Sequence, residues 1–148
     1  MKYLVLILII QTIFFASCKK TVPQNSTQPV YLRDKSLLEI KTEVFGNWKI
    51  HYRYGGITGN IKTPMTNSFF RVIQNDSIYL TLNNTLFTSD IATFQRVNTN
   101  FGYSAYTIDF TSIGGTPYSW IVDYKIGDTL ILVDNFPNAE GYYMTKIP

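Results

Sequence analysis

Gly46-Asn47-Trp48-Lys49-Ile50-His51-Tyr52-Arg53-Tyr54-Gly55-Gly56 is the stretch on which the fold turns. Trp48, Ile50, Tyr52 and Tyr54 alternate with Lys49, His51 and Arg53, the period of a strand with one face buried and one in water. All four apolar side chains are therefore expected to share the inner face. Gly55-Gly56 ends the run, because residues without a Cβ favour a turn. His51 is the only histidine, and it falls on the polar face, where solvent exposure is its expected setting rather than general-base duty.

The pattern changes on either side of this strand. Upstream, Leu37, Leu38, Lys41 and Val44 recur at helical spacing behind Ser36, which predicts a short capped helix over 36–44. Downstream, the spacing predicts strands over 69–73, 77–83, 91–97, 105–111, 118–124, 129–134 and 141–147. Asn75-Asp76 and Gly114-Gly115-Thr116-Pro117 supply turns between them. With the first strand these make eight, and no second long helical pattern or internal repeat is present. The expected fold is all-β, an eight-stranded up-and-down antiparallel β-barrel with a short N-terminal helix, occupying residues 34–148. A barrel of that size is filled by side chains or holds one small ligand. The 23 aromatic residues favour strands and supply the apolar area that a small domain needs.

The first residues have a different character. Met1-Lys2 precedes an apolar run from Tyr3 to Phe15, and Ala16-Ser17-Cys18 follows. One positive charge, a short apolar stretch and small residues before a cleavage point make a secretory signal over 1–17. The run is well short of the roughly 20 apolar residues that span a bilayer. Phe15-Ala16-Ser17-Cys18 resembles the lipobox of bacterial lipoproteins, with Phe15 where Leu is usual. The resemblance implies that the Cys18 thiolate takes up a diacylglyceryl group. Cys18 is the only cysteine, so it belongs to no internal disulfide. Two acyl chains suffice for stable attachment, and on this reading the folded domain needs no membrane-binding surface of its own. Residues 18–33 read as the lipidated Cys and a flexible tether, since the stretch from Lys19 to about Tyr31 holds Pro23, Pro29 and many amide and hydroxyl residues.

Gly46-Asn47-Trp48 just after a short helix looks like the Gly-x-Trp signature of lipocalins. The stretch from Leu37 to Gly59, with Gly55-Gly56-Ile57 and Gly59, is similar to the lipocalin-like lipoproteins of the Bacteroidota. The polar tether and the last strand of Gly-Tyr-Tyr-x-x-basic type, Gly141 to Lys146, are similar as well. The resemblance spans roughly residues 34–148. It implies that Trp48 plugs the closed end of the barrel behind Gly46. A basic residue of the last strand packs on that Trp in lipocalins, which implies this role for Lys146; Lys stands where Arg is usual and lacks its stacking plane. First and last strands are antiparallel neighbours in such a barrel, so a cation–π contact of about 0.5–2 kcal/mol is one outcome and a solvated C-terminal lysine the other.

With Trp48 at the closed end, Ile50, Tyr52 and Tyr54 follow it inward, and Tyr54 lies nearest the mouth. Tyr106, Phe110, Trp120 and Tyr142 complete the candidate lining. This lining either surrounds a small hydrophobic or amphipathic ligand or closes on itself as a core. Catalysis has no constellation to carry it. A lone histidine and no thiol after lipidation leave zinc and thiol chemistry without ligands. Asp76, Asp90, Asp109, Asp123, Asp128 and Asp134 are spread out, without Asp-x-Asp spacing for calcium. No cofactor or metal is expected.

The net charge is +3, and removing residues 1–17 takes away only Lys2. Lys41, Lys49, Arg53, Lys62, Arg71, Arg96, Lys125 and Lys146 are scattered, so nucleic acid is not an expected partner. Asp76-Ser77-Ile78 and Asp128-Thr129-Leu130 look like the Asp-Ser/Thr-aliphatic sites of Bacteroidota O-glycosylation, and they serve equally as ordinary turn chemistry. The expected setting is the cell envelope, lipid-anchored, on the outer membrane. Lys19-Lys20 after the Cys lacks the acidic surface-export signal of related lipoproteins, which favours the periplasmic face. Two functions stay open: a binding protein for a small ligand, and a structural or interaction module with a filled barrel, its protein partner unknown.

Overall fold

The computed structural model describes residues 28–56 and 61–148. The expected signal peptide, Cys18 and the expected tether up to residue 27 lie outside the described residues, as do Ile57 and Gly59. Strands make up most of what is described. They are β1 (Val30–Tyr31), β2 (Gly46–Gly55), β3 (Lys62–Val72), β4 (Ser77–Leu82), β5 (Thr85–Ile91), β6 (Thr93–Asn98), β7 (Ser104–Thr111), β8 (Pro117–Ile126), β9 (Thr129–Asp134) and β10 (Glu140–Ile147). One helix, α1 (Leu37–Val44), precedes β2.

The helix starts where its cap allows. The Ser36 hydroxyl accepts from the Glu39 amide, and the Glu39 carboxylate accepts from the Ser36 amide at 2.9 Å, a complete capping box. Ile40 and Val44, four apart, bury one stripe against the sheet. Ion pairs of 2.6 Å fix the rest, Lys41 with Asp76 of the β3–β4 turn and Lys125 of β8 with Glu43.

The strands form one curled antiparallel sheet in the order β5-β4-β3-β2-β10-β9-β8-β7-β6, with β1 added to β8. Its concave face carries the core: Trp48 and Ile50, Phe70 and Val72, Ile78 and Leu80, Ile108 and Phe110, Trp120 and Val122, Leu130 and Leu132, Tyr142 and Met144. Two expectations are corrected. The described residues hold ten strands rather than eight, and the ladder is open rather than closed, ending at β5 and β6. β5 escaped the sequence reading because Thr88-Ser89-Asp90 interrupts its alternation. Its turn was nonetheless encoded. Asn83 and Asn84 have φ of 49° and 68°, and this two-residue loop sets Leu82 opposite Thr85. Such turns need positive φ at both positions, which Asn tolerates.

Only Ala92 separates β5 from β6. Each step of the order is antiparallel and eight steps join the two, so β5 and β6 run in the same sense. Across the gap the Ile113 amide donates to the Phe87 carbonyl at 3.0 Å, and the Thr88 hydroxyl donates to the Thr111 carbonyl. β3 begins well before the expected residue 69. Pro64 masks its first half, and Pro is tolerated there because β4 pairs only with Phe69 to Val72. The expected tether end at residue 33 is also corrected. Val30 and Tyr31 pair with Lys125 and Tyr124, the Leu32 amide donates to the Asp123 carbonyl at 2.8 Å, and Leu32 is buried.

At the helix end of the sheet, Trp48 is 1 % exposed and its indole N–H donates to the Val44 carbonyl at 2.7 Å. This satisfies one of the carbonyls that a helix C-terminus leaves unpaired. Lys146 stands opposite Trp48 in the β2–β10 register, with Nζ 5.4 Å from the ring centroid. Gly46 makes that approach possible. Its φ is +121°, and a Cβ there would lie 2.7 Å from the Lys146 Cε. Gly46→Ala is expected to cost about 1–3 kcal/mol in a urea titration. Adding Lys146→Ala recovers only part of that loss, since the backbone strain remains. A loss that persists in full when Lys146→Ala is added would remove the close approach as its cause.

Candidate functional site

The predicted lining residues part into two groups. Trp48, Ile50, Phe110, Trp120 and Tyr142 are buried on the inner face, at 1 %, 0 %, 4 %, 1 % and 7 % exposure, and Tyr106 is half-buried against them. Their rings close on one another. Trp120 is the hub, with centroids 5.5 Å from Phe70, 5.1 Å from Phe110 and 4.5 Å from Tyr142. Tyr118 extends the stack from Phe110 to Phe87. The edge-to-face and tilted geometries suit ring quadrupoles.

Tyr52 and Tyr54, expected inside, are on the outer face. The reason is a bulge at His51. Ile50 pairs with Met144 but Tyr52 pairs with Tyr143, so β2 spends one residue more than β10. An extra residue reverses the alternation beyond it. Arg53, expected outside, moves to the inner side at the mouth. His51 itself is exposed, 2.7 Å from the Thr145 hydroxyl.

The displaced tyrosines join a row across the outer face: Tyr31, Tyr124, Ile131, Tyr143, Tyr52 and Pro64, one from each strand in β1–β8–β9–β10–β2–β3 order. At ordinary strand spacing the row is about 24 Å long. Tyr52 stacks on Tyr143 at 4.5 Å, the Tyr143 and Tyr124 hydroxyls are 3.3 Å apart, and Tyr124 meets Tyr31 at 5.8 Å. Cations sit over both ends, Lys62 over Tyr52 at 4.9 Å and Arg33 over Tyr31 at 4.4 Å. Burial pushes the Tyr124 hydroxyl pKa up, and its contact with Tyr143 adds to the shift.

At the mouth, Arg53 pairs with Glu140 at 3.0 Å, and the Tyr142 hydroxyl donates to the same carboxylate oxygen at 3.3 Å. Asp134 lies beside them, opposite Trp120 in the β8–β9 register. Neither Trp120 Nε1 nor Asp134 Oδ1 has a partner of good hydrogen-bond geometry among the described residues. The indole N–H is nonetheless close enough to favour the carboxylate electrostatically. Burial dominates and pushes the Asp134 pKa up to about 6. The Glu140 amide and the indole oppose this rise, and the Glu140 charge adds to it. Burial also raises the Tyr142 hydroxyl pKa, reinforced by the Asp134 and Glu140 charges.

The remaining candidates are dispersed. Ser77 and Thr129, the possible glycosylation positions, open β4 and β9 and are half-buried. Asp76, beside Ser77, is held by Lys41. Cys18 lies outside the described residues. Among the described residues no group of three or more His, Cys, Asp or Glu could hold a metal, and no helix is long and apolar enough to cross a membrane. Sequence reasoning missed Asp134 and Glu140 because nothing local marks two carboxylates at the same corner of a sheet.

No family model matches the chain, and neither a curated protein nor a solved structure matches it.

Asp134 makes the stability of the fold depend on pH. Its pKa is raised in the folded state, so its contribution to stability is fully present below about pH 4 and is lost as pH rises through about 6. Asp134→Asn is expected to stabilise the fold at pH 7.5 by roughly 2 kcal/mol and to flatten the stability change between pH 4 and 6. Urea titrations at several pH values measure both. A variant less stable than the parent at pH 7.5 would show that the carboxylate holds the mouth together instead.

Proposed function

We propose that this chain is a lipid-anchored protein of the cell envelope, on the outer membrane, whose lipocalin-like barrel is a filled, non-catalytic interaction module. The observation that carries the reading is the closure of the predicted lining onto itself. Trp48, Ile50, Phe110, Trp120 and Tyr142 are all under a tenth exposed. Rings already in contact with one another leave their faces to each other rather than to a guest. The surface available for recognition is then the outside of the sheet, where Tyr31, Tyr52, Tyr124 and Tyr143 stand in one row. Tyrosine is favoured at protein interfaces, where it supplies contact area and a hydrogen-bonding tip at low entropic cost.

The barrel part of the proposal rests on β5 and β6. They run in the same sense with Ala92 alone between them, so 85–98 counts as one bent strand that leaves β4 to join β7. The strands from β2 to β10 then number eight, and the bonds from Phe87 and Thr88 stitch the gap. The place of Lys146 over Trp48 and Gly46 supports the lipocalin-like reading. The anchor rests on Phe15-Ala16-Ser17-Cys18. A second reading, a small ligand at the mouth, is favoured by the incompletely bonded Trp120 Nε1 and Asp134 Oδ1.

Native mass spectrometry of the protein taken from its host membranes separates the two. A mass equal to the acylated chain alone is expected, and a stoichiometric small molecule that co-purifies would replace the interaction module with the ligand reading. Cys18→Ser is expected to abolish membrane partitioning, and a variant that stays with the membrane would overturn the anchor.

A further inference from the structure

The closed end of the sheet gathers exposed apolar residues that the core does not use. Leu38 on the first turn of α1 is 77 % exposed, Val30 is 47 % exposed, and Leu37 and Ile126 are each 37 % exposed. They share one region. Val30 pairs with Lys125, whose ammonium meets Glu43 of α1, and Ile126 follows in the chain. A shallow hollow of about 230 Å³ beside Leu38 is lined by Lys35, Glu39, Thr42 and Glu43. The three charges of α1 are each paired, Glu39 with Lys35 at 3.1 Å, and Glu43 with Lys125 and Lys41 with Asp76 at 2.6 Å. The helix therefore adds little net charge around its apolar side chains.

The same region is where the N-terminal chain leaves the sheet. Twelve residue steps separate Cys18 from Val30. Twelve steps of chain cannot reach further than about 40 Å. An acylated Cys18 would hold Val30, and α1 beside it, near the bilayer. The mouth, at the other end of the ten-residue β2, would face away.

Resting on the proposed acylation of Cys18, we infer that the closed end, with Leu38 foremost and Leu37, Val30 and Ile126 around it, lies on the bilayer surface and orients the domain with its mouth away from the lipid. The contact is with the lipid interface itself and is apolar, since the charges of α1 are already paired. The anchor supplies the affinity and this patch supplies the orientation.

The test uses full-length acylated protein on phosphatidylcholine vesicles. Leu38→Cys and Phe136→Cys variants carry an environment-sensitive nitrobenzoxadiazole label; Phe136 is 46 % exposed in the β9–β10 turn at the mouth end. Acylated Cys18 has no free thiol, so only the introduced cysteine takes the label. A blue-shifted emission quenched by spin-labelled lipid at position 38, with a water-like emission at 136, is the expected result, and added salt leaves it unchanged. Vesicle flotation with the label at 38 as open to aqueous iodide as that at 136 would overturn the orientation and leave the anchor standing. Loss of flotation, with labelling of Cys18 in the unsubstituted protein, would overturn the anchor and the orientation with it.

Discussion

The fold depends on the burial of one indole. Trp48 has to exclude water from the closed end and must also find a partner for its N–H, because an unpaired donor in that position costs about 1–3 kcal/mol. The Val44 carbonyl is that partner, and it is itself an unpaired group at the end of α1. One bond thus discharges two obligations and fixes the helix against the first long strand. Gly46 follows from the same constraint. The chain must turn from helix to strand within two residues, and it does so with a backbone angle favoured by glycine, leaving room for the Lys146 stem.

From that corner the interior is assembled in register. Phe70 faces Trp48 from β3 and Leu80 faces Phe70 from β4; on the far side Leu132 faces both Tyr142 and Val122. The inner surface is apolar almost to the mouth, where Asp134, Glu140 and Arg53 take over. The domain therefore has two polarities along its length. One end is closed by a helix whose charges are paired, and the other carries a carboxylate whose pKa burial pushes up to about 6.

Much of this was legible in the sequence and some was not. The alternation from Trp48 to Tyr54 and the capped helix behind Ser36 announced their elements, because each is decided by neighbours a few residues away. The strands after residue 104 were legible for the same reason. β5 was hidden by its polar centre, although Asn83-Asn84 carried the turn that requires it. The first half of β3 was hidden by Pro64. Trp120 and Tyr142 were candidates for the lining without a pattern that fixed their facing, and the outward turn of Tyr52 and Tyr54 was not legible at all. That turn depends on how many residues β10 spends opposite β2, a property of two strands some ninety positions apart. Asp134 and Glu140 meet for a comparable reason, since only the completed corner brings them together.

The bulge at His51 has a wider consequence. A regular strand ties its two faces together, and each shift of register exchanges them wholesale. Here a single supernumerary residue lets β2 serve two masters in succession: its first half is committed to the interior, and its second half displays aromatic rings to the outside. The outer row can then be remodelled by substitution without disturbing the packing beneath the helix, because the two halves answer to different neighbours. In that sense the irregularity works as a gear between a packed interior and an exterior whose side chains can vary on their own.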